Sequence, residues 1–208
     1  MFSRLQKTGH DSSGALLGAK RDNWEGGHRV PFIARWPGRI RAGSANSDPV
    51  CLVDFMATFA ELLDVDLPLE AGGDSVSLLP ILMGESGVYR NGHAIVHHSS
   101  SGMFAIRRGD WKLLLHAGSG GNGYGANAAK RRPFYANTLE QRLFDTGERQ
   151  LYNLKLDLGE TQNLVAEYPE IVSELTALAS RYVLESRSTL GRKLDYVSDD
   201  WKQIDWTE

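Results

Sequence analysis

The feature that most restricts the fold is a change of pattern near Gly87–Gly92. Before it, apolar runs alternate between strand-like and helix-like lengths, as α/β proteins do. "RVPFIARWPGRI" reads as a buried strand over Val30–Trp36, with Pro31 near its start, where a missing N–H is tolerable. "PVCLVDFMATFAELLDV" reads as a helix with Asp48 as N-cap and Pro49 in the first turn. Leu52, Phe55, Met56, Phe59, Leu62 and Leu63 form its apolar stripe. A short apolar turn follows over Ser77–Met83. After the change, "FAIR" and "WKLLLH" flank Arg108-Gly109-Asp110, a hairpin signal rather than a recognition tripeptide. "QRLFDTGERQLYNL" predicts a further strand pair turned at Asp145-Thr146-Gly147. The last helix starts at Pro169 and carries Ile171, Leu175, Leu178 and Tyr182 on one face. The expected class is α/β, with an α/β piece over residues 1–92 and an antiparallel sheet with one long helix over 93–208.

A chain of 208 residues with 41% hydrophobic content is long enough to bury a sizeable core. A net charge of −3 gives no broad basic field, which argues against nucleic acid as a partner. No apolar run reaches bilayer-spanning length, so no membrane partner is expected. A single cysteine excludes internal disulfides and any multi-thiolate metal site. Met1–His10 lacks the apolar core of a secretory signal. The polar opening to Lys20 reads either as a loose segment or as the later part of a longer protein. From Thr189 onward the chain is polar, and loose packing is expected.

The chemistry concentrates in "GAKRDNWEGG", Gly18–Gly27. Lys20 presents a compact charge with three donors, suited to anionic oxygens. Asp22 and Asn23 offer oxygen ligands for a hard divalent cation, or turn chemistry. Gly26 and Gly27 permit close backbone approach.

Three segments in this order, "GAKRDNWEGGHRVPFIARWPGRI", "VDFMATFAELLDV" and "AIRRGDWKLLL…LYNLKLDLGETQNL" before the last helix, resemble the C-terminal portion of type I sulfatases. These are the arylsulfatase-like members of the alkaline phosphatase superfamily. The resemblance runs from about Ser13 to Ser186. It implies hydrolysis of sulfate monoesters of small molecules or glycans, with Lys20 as the lysine that binds a sulfate oxygen and steadies the leaving oxygen. Preorganised charge of this kind is a large catalytic term. The family's Asp-Asn calcium pair lies upstream of that lysine. Asp22 and Asn23 therefore match it in letters and not in position, and are assigned to turn chemistry.

The family's nucleophile is a formylglycine made from Cys/Ser-x-Pro/Ala-x-Arg. Cys51, in "CLVDF", has neither the proline nor the arginine, and reads as a small apolar residue near a helix start. The resemblance thus places formylglycine and the calcium ligands in a missing N-terminal sulfatase region, and this chain alone is expected to be inactive.

His10 lies in the loop leading to Lys20. His97 and His98 are adjacent on a strand, so only one can face a given cleft. These three are candidate substrate contacts. Lys130, Arg131 and Arg132 follow a Gly-rich loop and suit a solvated cluster or an arm for polyanions. A truncated paralogue that binds sulfated glycans without cleaving them, or a phosphate or phosphonate ester hydrolase of the same superfamily, remains an alternative. By resemblance the complete protein works in periplasm, lysosome or medium.

Overall fold

A computed structural model describes residues 9–10, 13–85, 92–121 and 149–195. The elements are α1 (Glu25–His28), a 3-10 turn (Leu52–Asp54), α2 (Phe55–Leu62), α3 (Leu79–Leu82), β1 (Ile95–His98), β2 (Phe104–Arg108), β3 (Trp111–Leu114), β4 (Gln150–Asn153) and α4 (Pro169–Glu185). The described residues fall into two compact units. One takes residues up to 30 and 96–179; the other takes 31–95 and the stretch beginning at 180. The boundary expected near Gly87–Gly92 lies almost wholly outside the described residues, as do Lys130–Arg132, the turn at Asp145–Gly147, Trp201 and Trp206.

In the first unit the strands lie in the order β1-β2-β3-β4. The Gly109–Asp110 turn joins β2 to β3 as an antiparallel hairpin, with Gly109 at φ +59°. β4 pairs antiparallel with β3, bringing Lys112 opposite Tyr152 and Leu114 opposite Gln150. Because side chains alternate across a sheet, this register sets Ala105, Arg107, Lys112, Leu114, Gln150 and Tyr152 on one face. Trp24 and Leu17 pack with Ala105, Leu114, Tyr152 and Leu154 into a buried cluster. α4 begins at Pro169, where the missing N–H costs nothing, and buries Leu175, Ala179 and Tyr182. The architecture belongs to the α/β class, an antiparallel sheet with helices.

The stretch from Val30 to Leu63 departs from the sequence expectations in three places. Val30–Trp36 is not a strand; its backbone carries no ladder, and Val30, Phe32 and Ile33 are exposed. An apolar run becomes a strand only beside a partner strand, and among the described residues none pairs with it. The helix expected from Pro49 begins later, through the 3-10 turn at Leu52, because the Asp54 carboxylate accepts from the Cys51 N–H at 3.1 Å and caps the chain there. The apolar stripe of α2 faces outward: Leu52, Met56, Phe59, Leu62 and Leu63 are exposed, while Thr58 is the buried residue of the helix. Thr58 Oγ1 donates to the Asp54 carbonyl at 2.6 Å and accepts from the Leu78 N–H at 2.8 Å. Hydrogen bonding, not apolar periodicity, therefore decides which side of α2 is covered within the described residues.

The stretch after α4 is also better held than its polarity suggests. Arg187 donates to the carbonyls of Thr189 and Arg192, at 3.1 and 2.9 Å, and Leu194 is buried. Ser188 N–H donates to Asp74 Oδ1 at 2.8 Å.

Candidate functional site

Lys20 sits on a doubly closed turn. The Asp22 N–H donates to the Ala19 carbonyl at 3.0 Å, and the Asp22 carboxylate accepts from the Ala19 N–H at 2.9 Å. Ala19 and Asp22 are buried, whereas Lys20 and Arg21 are exposed at the tip. Arg21 adopts φ +99°, the left-handed region that a non-glycine residue enters only under constraint. The constraint comes from neighbouring segments. The Arg21 carbonyl accepts from the Ser100 N–H at 3.0 Å, and the Asn23 N–H donates to the Ser119 carbonyl at 2.9 Å. A Cβ on Gly121 would stand 2.0 Å from the Arg21 oxygen, so that approach requires glycine.

The buried side of the turn is polar, with Asn23 Oδ1 its one atom lacking a hydrogen-bond partner among the described residues. Asn23 Nδ2 donates to the Met103 carbonyl at 2.7 Å and to His116 Nε2 at 2.8 Å. His116 Nε2 is thereby the acceptor, and Nδ1 donates to the Ala117 carbonyl at 3.0 Å. Burial lowers the His116 pKa to about 4, so the ring is neutral at physiological pH. Trp24 Nε1 and the Tyr152 hydroxyl both donate to Gln150 Oε1, at 3.0 and 2.7 Å, which ties the turn to the sheet face.

Five residues beyond Lys20, Glu25 opens α1 at the centre of a buried ionic cluster. The Lys112 ammonium, from the middle of β3, donates to Glu25 Oε1 at 2.8 Å, to Glu160 Oε1 at 2.9 Å and to His28 Nε2 at 3.1 Å. Lys112, Glu25 and Glu160 are fully buried. Glu160 Oε2 accepts the Glu25 N–H at 2.6 Å, and Arg29 Nε donates to Glu25 Oε2 at 2.5 Å. Burial opposes ionisation of Glu25, but the Lys112 ammonium and Arg29 outweigh it and hold the carboxyl far below the usual carboxylate range. Burial dominates at Glu160 and raises its pKa despite Lys112. One ammonium thus serves two carboxyls whose environments push them apart.

His28 is lowered to about 4 by burial and by Lys112, and its ring stacks on His97 at 4.0 Å between centroids. His97 is lowered well below its ordinary value, first by burial. Its Nε2 is buried without a hydrogen-bond partner among the described residues. His98 is exposed, on the opposite side of β1, edge-on to Phe104. His10 is exposed. His97 therefore joins the buried cluster, while Lys20 occupies the tip of the turn.

Lys112, Glu160, His28 and His116 were not marked by the sequence reading. The available signal for Lys112 was its place in "WKLLL", a lysine amid strand residues that bury on both faces.

Among the described residues no group of three His, Cys, Asp or Glu side chains could hold a metal. Asp22 Oδ2 accepts the Ala19 N–H and Asn23 Nδ2 donates to the Met103 carbonyl, so both side chains help to hold the turn.

The profile of the family described as "N-sulphoglucosamine sulphohydrolase, C-terminal" matches residues 17–119. An N-acetylgalactosamine-6-O-sulfatase of Bacteroides thetaiotaomicron is 30% identical over 177 residues, covering 85% of this chain and 31% of that protein. Arylsulfatase G of Canis lupus familiaris is 26% identical over 194 residues, covering 86% of this chain and 32% of its own. A solved B. thetaiotaomicron structure, described under metabolism of multiple glycosaminoglycans, superposes with a TM-score of 0.68 at 29% identity, covering 86% of this chain and 34% of that one. A second, in complex with its substrate D-glucosamine-2-N,6-O-disulfate, gives 0.51 at 27% identity, covering 78% and 29%. The chain spans about a third of the length of these relatives. The residues that match, and the sheet and motifs they build, show that the chain belongs to the sulfatase family and corresponds to its C-terminal portion.

Proposed function

We propose that this chain is the part of a sulfatase that presents Lys20 to the sulfate group, and that the complete protein hydrolyses sulfate monoesters. The observation that carries the reading is the Lys20 turn: an exposed ammonium on a backbone held at both ends by hydrogen bonds and backed by a buried ionic cluster. The held backbone fixes where the Lys20 side chain is anchored, and positioned charge is where electrostatic catalysis gains its advantage. Lys20 would hold a sulfate oxygen and stabilise the negative charge on the departing ester oxygen. The formylglycine nucleophile and calcium of the family would come from outside this chain, whose sequence holds no Cys/Ser-x-Pro/Ala-x-Arg. The names of two relatives favour a sulfated amino sugar or another glycan sulfate as substrate, and the family resemblance favours a compartment outside the cytoplasm.

The test is hydrolysis of 4-nitrophenyl sulfate and of glucosamine sulfates by the complete protein and by the 208-residue chain. The complete protein is expected to turn over and the chain alone is not. Lys20→Ala in the complete protein should lower kcat by roughly 100- to 1,000-fold, the scale of losing one oxyanion donor. An unchanged kcat would remove Lys20 from the mechanism.

A further inference from the structure

Charged residues from the first and third of the sequence segments that mark this family meet in the buried cluster, although they stand 48 to 135 positions apart. Glu25 comes from "WEGG", Lys112 from "WKLL" and Glu160 from "GETQ". The reason for their meeting is not obvious from stability. A buried ion pair repays its desolvation only with excellent geometry, and an apolar trio of similar volume often serves as well. What an ionic trio provides in addition is direction, because each charge must be aimed at its partner.

We infer that Lys112 is a positioning residue for Lys20, acting through Glu25, an inference that rests on the sulfatase reading above. The path is short and covalent at one end. Lys112 Nζ holds Glu25 Oε1 at 2.8 Å, and Glu160 bridges back from Lys112 to the Glu25 N–H, so both the side chain and the backbone of Glu25 are fixed. α1 then transmits that position to the Lys20 loop by backbone alone. The Gly26 N–H donates to the Leu17 carbonyl at 2.8 Å, and a Cβ on Gly26 would lie 2.7 Å from the same oxygen. A Cβ on Gly27 would lie 2.1 Å from the Asp22 carbonyl. The two glycines bring α1 against both ends of the loop, at Leu17 and at Asp22, with Lys20 between them. His28 completes the clamp: Nε2 accepts from Lys112 and the ring rests on His97. A shift of Lys112 therefore moves α1, and α1 moves the turn that carries Lys20.

The leaving-group dependence of the reaction separates this role from a merely structural one. If Lys20 steadies the departing oxygen, misplacing it matters most for esters whose alcohol leaves poorly. Lys112→Met removes the ammonium that two buried carboxyls share and risks unfolding, so Glu160→Gln is the second variant. Lys112 and the Glu25 N–H use different oxygens of Glu160, and a glutamine puts an NH2 donor in place of one of them, which loosens the clamp while keeping the core filled.

Two measurements decide it. The first is amide hydrogen exchange of the 208-residue chain, comparing residues 17–28 with α4. Glu160→Gln is expected to speed exchange at 17–28 and leave α4 unchanged; equal acceleration in both, or in neither, overturns the inference. The second uses the complete protein and a series of aryl sulfates of rising leaving-group pKa. The loss in kcat is expected to grow along the series, reaching on the order of 100-fold for the poorest leaving group, with KM little changed. It should not add to the loss from Lys20→Ala in the double variant. A loss that is flat across the series overturns the positioning role and leaves the sulfatase reading standing. No turnover by the unmodified complete protein overturns that reading, and Lys20 as the positioned residue with it.

Discussion

Arg21 is the residue whose geometry departs most from its own preference. Left-handed φ costs a non-glycine residue roughly 1 kcal/mol or more, and Arg21 holds φ +99° between Lys20 and a buried Asp22. Its carbonyl is fixed from outside by the Ser100 N–H. Arg21→Gly should therefore raise stability by about 0.5–1 kcal/mol, read as a shift in a denaturant midpoint at unchanged slope. Gly27→Ala should act in the opposite direction and more strongly, since its Cβ would meet the Asp22 carbonyl at 2.1 Å and backbone must yield. A loss below 1 kcal/mol for Gly27→Ala would mean that α1 is not pressed against the loop. At this scale the sequence was partly legible. Two consecutive glycines announced close approach, and Asp22-Asn23 announced a turn, because both are chemistry of a residue with its own neighbours. The strain at Arg21 was not legible, because it is imposed by Ser100 and Gly121, some eighty and a hundred positions away.

Among the elements, β2, β3 and α4 were legible for the same reason: alternation, a Gly-Asp turn and an apolar stripe are local signals that the sheet and helix obeyed. The buried cluster was not. Lys112 reads as a polar residue on an apolar strand, and only the register of β3 against β4 brings it to the Tyr152 and Gln150 face that α1 covers. The histidines of this layer give it a pH dependence. His28 and His116 have folded-state pKa values of about 4, below the ordinary histidine value. A group lowered on folding contributes stability that is complete above its unfolded pKa of about 6.5 and is lost as the pH falls toward about 4. Each is worth about 3 kcal/mol across that window, at 1.36 kcal/mol per pKa unit. Glu25, held low, adds its own loss at still lower pH; Glu160, raised, works in the opposite sense and softens it. The melting temperature should therefore fall steadily between pH 7 and pH 4.5. His116→Gln should flatten that fall by up to about 1.4 kcal/mol per pH unit. A melting temperature independent of pH over this range would show that the rings are not buried neutral.

At the scale of the whole chain, the reading that failed and the property left to explain are the same surface. Val30–Trp36 was expected to be a buried strand and α2 to bury its apolar stripe, and in the second unit both present that apolar surface outward. Ile33 is 90% exposed, Leu63 70% and Leu52 64%. Phe32 rests edge-on against Phe55, and Phe55 stacks on Phe59, so part of this surface is one continuous aromatic patch. Periodicity told correctly which residues share a side; it could not tell whether anything covers that side. Water-exposed patches of this kind are association sites or liabilities, and the relatives are about three times as long as this chain. The expected consequence is concentration-dependent self-association of the 208-residue chain by light scattering at micromolar to millimolar levels. Phe59→Glu, on the outward side of α2, should suppress it without lowering the melting temperature, because Phe59 is 55% exposed and buries little on folding. A chain that stays monomeric over that range would mean the patch is covered by residues outside those described. A Phe59→Glu chain that unfolds would mean that Phe59 anchors α2 through its stacking on Phe55.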